Sequence, residues 1–328
     1  MKRTLLTLCI GTLCSGAFSA LATVQDSTLE FSNRTLNDNL PSASGVVVTD
    51  NKIFAVGDDS PWLYQLDSTF TIVEKDLIKE YPVRDNGRIV KKVKPDFEAL
   101  DNIEVSGKPS FVMLGSGSKL DVREWAFVIS QDKQLKIERS LKPLYKNLRV
   151  AAGYSADQEI NVEGLATSDD SAFILNRGNG GSNVIFELDL EAFQKYLVGA
   201  VDQVNDIKAY HVNLPVVAGF EAGLSGAEYW QETESLVVTA SIEATGDAYN
   251  DGEILGSYIG LIDLDKLSAR KTVDLSDNLI PLMEGDKRLI TKLESVAFTQ
   301  QDEKSVSGVV ASDNDDGTSE FFNFTLTK

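Results

Sequence analysis

Short runs of alternating apolar and polar residues fill most of this chain, separated by clusters of Gly, Asp, Asn and Ser. Alternation with period two is the mark of a half-buried β-strand, and the clusters between runs are turn signals. Runs at 45–48, 52–56, 62–66 and 70–74 make a first set of four strands, with Asp50-Asn51 as the turn between the first two. The pattern recurs at 97–103, 111–114, 125–129 and 135–140, then at 162–167, 172–176, 184–188 and 209–213. A fourth set lies at 227–231, 235–241, 258–263 and 271–275. The last set, 293–299, 306–311 and 319–326, has only three strands, and a lone alternating run at 27–36 is available to complete it. Four short antiparallel strands in succession make one propeller blade. The prediction is therefore an all-β, five-bladed β-propeller, closed by pairing of the N-terminal strand with the last blade. A sixth blade within the longer loops is the alternative count. One helix is predicted at 191–203, where Phe193, Leu197 and Val201 recur at spacing four. No linker or break in composition divides residues 23–328, which are expected to form a single domain.

Each predicted innermost strand opens on a residue with a side-chain oxygen. The segments are Ser44-Gly45-Val46, Glu98-Ala99-Leu100, Glu163-Gly164-Leu165, Ser225-Gly226-Ala227 and Glu294-Ser295-Val296, at intervals of 54, 65, 62 and 69 residues. Innermost strands surround the propeller axis, so these five side chains are expected to converge there. Three carboxylates ~5 Å apart at an effective dielectric of ~20 repel by roughly 3 kcal/mol per pair. Such a centre calls for a cation or for protonation. Serine and glutamate oxygens with water suit Ca²⁺, which takes six to eight oxygen ligands, better than a soft or nitrogen-seeking metal. The plainer reading is that these residues cap strand starts and never meet. The tips of the second strands face the same mouth and are polar: Asp58, Asp59, Ser118, Lys119, Asn176, Arg177, Glu243, Asp313 and Asn314. Among them Lys119 and Arg177 are candidates to hold an anionic substrate, Arg bidentately, with Glu243 and Asp313 beside them. Asp58 or Asp59 is the candidate to orient a water. Ordinary polar hairpin tips are the alternative for each.

Composition narrows the chemistry. The N-terminus carries Lys2 and Arg3, an apolar run from Leu5 to Ala20 and then Ala20-Leu21-Ala22, the layout of a secretory signal peptide over residues 1–22. A membrane anchor and a lipidated Cys14 are the alternatives. Both cysteines, Cys9 and Cys14, fall in this leader, so a mature chain of about 306 residues has neither disulfide nor thiol. The net charge of −19, or −21 without Lys2 and Arg3, repels nucleic acid and anionic membranes and favours divalent cations. No other run is long enough to span a bilayer. The expected location is the periplasm or the extracellular medium, and the expected form is a monomer with a small anionic partner. His211 is the single histidine and lies next to Tyr210 in a predicted outer strand, a structural position. Typical zinc sites and histidine-dependent nucleophilic machines are therefore excluded as expectations. Gly115-Ser116-Gly117-Ser118-Lys119 reads as a turn between strands rather than a phosphate-binding loop.

The order Ser, Glu, Glu, Ser, Glu over five blades resembles the calcium-activated nucleotidases (apyrases), five-bladed propellers with a central Ca²⁺. Ser44-Gly45-Val46-Val47-Val48, Lys52-Ile53-Phe54-Ala55-Val56 and Tyr64-Gln65-Leu66 are similar to that family's first blade. Gly223-Leu224-Ser225 and Gly256-Ser257-Tyr258-Ile259 are similar to its fourth, and Lys292-Leu293-Glu294-Ser295-Val296 to its fifth. The resemblance implies Ser44, Glu98, Glu163, Ser225 and Glu294 as Ca²⁺ ligands, Arg177 on the phosphate side, and hydrolysis of nucleoside di- and triphosphates. Two departures stand out. The family's Asp-Arg-Thr-Gly run is Asp58-Asp59-Ser60-Pro61 here, and its Gly-Phe-Lys-x-Glu-Trp segment is Lys94-Pro95-Asp96-Phe97-Glu98-Ala99. Glu-Gly-Leu and Glu-Ser-Val-Ala-Phe also resemble bacterial propellers named for phytase-like esterase activity. The two expectations of different class are a metal-dependent phosphohydrolase or esterase and a non-catalytic propeller in which Ca²⁺ is structural.

Overall fold

Five antiparallel sheets stand where the five sets of strands were predicted. The computed structural model describes residues 20–24, 27–155, 158–178, 181–245 and 252–328. The first blade is built from Ala43–Thr49, Lys52–Gly57, Trp62–Leu66 and Ile72–Leu77. The second has Phe97–Val105, Lys108–Gly115, Trp125–Ser130 and Lys136–Ser140. Val162–Thr167, Ser171–Asn176, Asn183–Asp189 and Lys208–Asn213 form the third. The fourth is Gly223–Trp230, Ser235–Glu243, Ile254–Asp263 and Leu279–Pro281. In the fifth, Lys292–Gln301, Ser305–Asp313 and Ser319–Thr327 are joined by Ser27–Asn37, which pairs antiparallel with Ser319–Thr327. Each innermost strand packs on that of the next blade, and the fifth packs on the first. The molecule is a five-bladed β-propeller.

Its apolar core is divided the same way, into five clusters that each lie between two blades. Val47, Val56, Phe111 and Met113 join blades one and two, whereas Ala297, Val309, Val46 and Tyr64 join five and one. Trp230 and Val237 of blade four meet Val296 and Phe322 of blade five. A blade has two apolar faces and little apolar surface left over, so removing one blade from the ring strands two cores.

Three local departures from expectation have physical causes. The fourth strand of blade four is Leu279–Pro281, not 271–275; Val273–Asp274 pairs parallel with the outer strand of blade three. Leu279 and Ile280 carry the burial, and Gly260 opposite Leu279 admits the strand, since a Cβ there would lie 2.4 Å from the Asn278 carbonyl oxygen. The predicted helix spans Leu190–Leu197, shorter than 191–203. The Asp189 carboxylate accepts from Ala192 N–H at 2.7 Å at its start, and Gly199 in the left-handed region follows its end. A second helix, Lys142–Ala151, was not predicted; Pro143 sits in its first turn and Leu144, Tyr145 and Leu148 are its buried face. Both helices pack into the core between blades two and three.

The leader expected over 1–22 lies outside the described residues save for its last three, which open the strand Ala20–Val24 paired with Ser27–Asn37. Among the described residues no helix is long and apolar enough to cross a membrane.

Candidate functional site at the propeller axis

One irregularity repeats in every blade. The pairing of first and second strands slips between Ala43 and Gly45, Phe97 and Ala99, Val162 and Gly164, Leu224 and Gly226, and Leu293 and Ser295. The skipped residue is in each case the axial one: Ser44, Glu98, Glu163, Ser225 or Glu294. A β-bulge leaves one residue unpaired and re-aims its side chain, a device common next to functional sites. The small residue that follows has its own reason. A Cβ on Gly226 would lie 2.7 Å from the Ser295 Cα, so the inner strands approach too closely for a side chain.

The two serines tie neighbouring blades. Ser44 Oγ donates to the Phe97 carbonyl, and Ser225 Oγ donates to the Leu293 carbonyl at 2.6 Å. Each serine thus grips the residue just before the next blade's axial glutamate.

The three glutamates sit in a charged cluster. Arg177, 3% exposed, places Nη1 3.4 Å from Glu163 Oε2 and 3.7 Å from Glu294 Oε2, and Nη2 3.4 Å from Glu243 Oε1. Lys292 Nζ lies 2.8 Å from Glu243 Oε1 and 3.2 Å from Glu294 Oε1. On the blade-one side, Lys94 Nζ contacts Asp58 and lies 2.6 Å from Asp96 Oδ1. Asp96 Oδ2 accepts from Arg123 Nη1 and from Ser116 Oγ, both at 2.5 Å. Oxygens of Asp58, Asp96 and Glu98 lie within 4.8 Å of one another. No hydrogen bond or ion pair holds the Glu98 carboxylate among the described residues. Asp58 Oδ1, Asp59 Oδ1 and Glu294 Oε2 are buried and accept no hydrogen bond among the described residues, although Arg177 Nη1 stands 3.7 Å from the last.

The electrostatics follow from the imbalance. Asp58, Asp96, Glu98, Glu163, Glu243, Glu294 and Asp313 face Lys94, Arg123, Arg177 and Lys292, which leaves negative charge in excess when all ionise. Burial pushes Glu98 well above the usual carboxylate range, and Asp96, Glu163 and Asp58 push it further. Burial also raises Glu294 well above that range against the pull of Lys292 and Arg177, and it raises Glu163 despite Arg177. Asp313 is pushed up to about 8, again by burial first, with Lys292 opposing. Asp96 goes the other way, because Lys94 and Arg123 outweigh its burial.

The remaining predicted residues are placed as follows. Asp59 turns to Arg88, 2.6 Å from its Nε. Lys119 is half-buried and donates to the Lys92 carbonyl at 3.2 Å, outside the cluster. Asn176 accepts from the Asn161 N–H at 2.8 Å, and Asn314 donates to Thr318 Oγ1 at 2.9 Å. His211 Nδ1 lies 2.7 Å from Ser182 Oγ, in blade three's outer strand. Sequence reading missed Lys94, Asp96, Arg123, Asn161 and Lys292. Part of the signal was there: Ser42, Asp96, Asn161, Gly223 and Lys292 stand two residues before the five axial positions, and all are polar or glycine. Gly223 makes room, since a Cβ would meet Arg177 Cγ at 2.4 Å.

Three residues beyond Glu98 and Ser225, on the same strands, stand Asp101 and Glu228. Asp101 accepts from Thr167 Oγ1 at 2.8 Å, and no lysine or arginine pairs with either carboxyl among the described residues. Burial pushes Asp101 from 3.8 up to about 6, and it pushes Glu228 well above its usual range with help from Asp101. The folded state therefore holds a proton more tightly than the unfolded chain. Stability is highest below the unfolded value and falls as pH rises toward about 6. Asp101→Asn, which keeps an acceptor for Thr167, is expected to stabilise the protein by about 2–3 kcal/mol at pH 8, the gain shrinking toward zero as pH falls to 4. Urea denaturation at a series of pH values reads this; a gain independent of pH would remove the carboxyl's ionisation as its cause.

Fold and site together define a five-bladed propeller whose bulged inner strands gather carboxylates, with too few cations to balance them, on the axis. The chain belongs to the family described as "Family of unknown function (DUF6929)", matched over residues 39–326. No curated protein matches it. Among solved structures it is similar to glutaminyl cyclase from Myxococcus xanthus, at 12% identity over 91% of this chain and 96% of that one, with a TM-score of 0.45. It is also similar to a GH43 endo-arabinanase from Bacillus licheniformis, at 12% identity, 88% and 94% coverage and a TM-score of 0.44. Virginiamycin B lyase from Staphylococcus aureus gives 10% identity, 92% and 100% coverage and a TM-score of 0.35.

Proposed function

We propose that this protein is an exported, calcium-binding β-propeller that hydrolyses small phosphate-containing molecules at its axis. The observation that carries the reading is the trio Asp58, Asp96 and Glu98, whose oxygens lie within 4.8 Å of one another while Asp58 Oδ1 and the Glu98 carboxylate accept no hydrogen bond among the described residues. A hard divalent cation fits these donors: they are oxygens only, and the single histidine is engaged with Ser182 in an outer strand. Asp58, Asp96 and Glu98 would hold it, with Glu163 and Glu294 deeper in the same field. A cation bound there would supply the charge that lets an anionic phosphoryl group approach, and polarise its oxygen. Arg123 and Ser116 keep Asp96 oriented, and Arg177 and Lys292 screen the glutamates behind it.

A second reading rests on a different observation. Lys94, Arg123, Arg177 and Lys292 each already sit on a carboxylate, so none stands open toward an anion. In that reading calcium only ties the blades together and the mouth binds a ligand or partner. One experiment sorts both. Millimolar calcium is expected to raise the melting temperature by several degrees and to support phosphate release from a panel of nucleotides and phosphoesters, and Glu98→Gln is expected to remove both effects. Stabilisation without phosphate release selects the second reading. No stabilisation and no heat of calcium binding ends both.

A further inference from the structure

We propose that Lys94 is a built-in occupant of the axial cation site: its ammonium bridges Asp58 and Asp96 when no ion is bound, and a divalent cation binds by displacing it. The inference rests on the calcium reading above and concerns what governs that site's affinity. The Lys94 Nζ contacts Asp58, lies 2.6 Å from Asp96 Oδ1, and lies within electrostatic reach of Glu98. Those are the same three carboxylates that approach one another within 4.8 Å. The ammonium and an ion compete for one place.

The fit of the ammonium is incomplete. It contacts two of the three carboxylates, leaving Asp58 Oδ1 buried with no hydrogen bond and the Glu98 carboxylate with neither hydrogen bond nor close ion pair among the described residues. Glu294 Oε2, on a side chain only 4% exposed, likewise accepts no hydrogen bond among the described residues, its nearest cation being Arg177 Nη1 at 3.7 Å. One positive charge with three donors cannot satisfy this set; an ion that takes six to eight oxygens can.

The surroundings permit the exchange. Asp96 is held without Lys94, because its Oδ2 accepts from Arg123 and Ser116 and its carbonyl accepts from Ser116 N–H at 2.9 Å. Its backbone has φ of 59°, a left-handed conformation uncommon for residues with a side chain, so the loop is shaped to present this carboxylate. Lys94 itself stands outside any strand, its side chain 13% exposed on a flexible stem. A lysine amine can swing to water, whereas the planar Arg123 fork is locked on Asp96 and Ser118. Occupancy by the tether lowers the apparent affinity for calcium by the fraction of molecules in which the site is open.

Two measurements test this. Lys94→Met keeps the stem and removes the charge, and calorimetric titration with calcium chloride is expected to show at least tenfold tighter binding than wild type. Equal or weaker binding overturns the proposal. Since that variant loses a buried partner for Asp58, a second measurement uses the wild-type protein. Reductive methylation read by mass spectrometry is expected to modify Lys94 slowly in calcium-free buffer and several-fold faster at saturating calcium, while Lys208, its side chain 58% exposed in blade three, serves as the unchanged reference. Unchanged or slower Lys94 labelling overturns the proposal. Absence of calcium binding in both wild type and Lys94→Met removes the calcium reading itself, and this inference with it.

Discussion

Replacing Arg177 by methionine is expected to cost about 3–5 kcal/mol of stability in calcium-free buffer, because it breaks a buried ion pair from one side only. The guanidinium is 3% exposed and faces Glu163, Glu243 and Glu294 from three different blades. Burial alone would lower its proton affinity, but those three carboxylates outweigh that and hold it charged. Without it, Glu163 keeps the amide of Asn161, at 2.5 Å, and the more distant charge of Lys292, which is left to serve Glu243 and Glu294 as well. The methionine would fill much of the space without returning the charge. Calcium is expected to recover part of the loss, since a cation nearby relieves the same repulsion. Urea denaturation with and without calcium reads both effects. A cost below about 1 kcal/mol, the scale of an exposed pair, would show that Arg177 does not balance these carboxylates.

The legible part of this molecule was its repetition. Ser44, Glu98, Glu163, Ser225 and Glu294 each precede an apolar strand after a small step, and that spacing located five inner strands and, through them, the blades. What the spacing could not convey was the bulge, which needs the partner strand to define it, or the division of labour within the series. Ser44 and Ser225 look like two ligands among five, yet their hydroxyls grip carbonyls of the next blade. The cations were hidden for a related reason. Lys94 lies in a loop four residues before Glu98, and Arg123 lies beyond a hairpin; only the fold brings them to Asp96. Lys119, the more conspicuous lysine after Gly115-Ser116-Gly117-Ser118, turns instead to the Lys92 carbonyl. The outer strand of blade four was misplaced because short edge strands carry few alternating positions, and Leu279–Pro281 offers three residues where Val273–Asp274 competes. The helix Lys142–Ala151 was legible in principle from Leu144 and Leu148 at spacing four behind Pro143, but it interrupts a strand-rich stretch.

A chain that begins at residue 39, where the family match starts, is expected to lose cooperative folding or to melt at least 10 °C below one that begins at residue 27. The difference between them holds the strand Ser27–Asn37, which completes the fifth blade by pairing with Ser319–Thr327. Leu29 and Phe31 are 1% and 4% exposed within the core between blades four and five, where Phe31 meets Phe322 edge to face at 6.1 Å. Full burial of two such side chains is worth roughly 3–6 kcal/mol. The strand also brings Arg34, which holds Glu320 through two hydrogen bonds at 3.0 Å, and Asn37, which donates to the Phe70 carbonyl at 3.0 Å and so ties blade five to blade one. Against a total stability of about 5–15 kcal/mol for an ordinary domain, that loss is most of the margin. It also leaves Ser319–Thr327 as an open edge carrying Phe322, Phe324 and Leu326, a template for association between copies. Among the described residues Ala20–Val24 pairs with the outer side of Ser27–Asn37 alone, so starting at residue 27 is expected to change the melting temperature little. Thermal denaturation of the two chains, with light scattering to follow aggregation, compares them directly. If the chain beginning at residue 39 melts within about 2 °C of the longer one, the ring is held by its inner strands and inter-blade cores, and its closure contributes little.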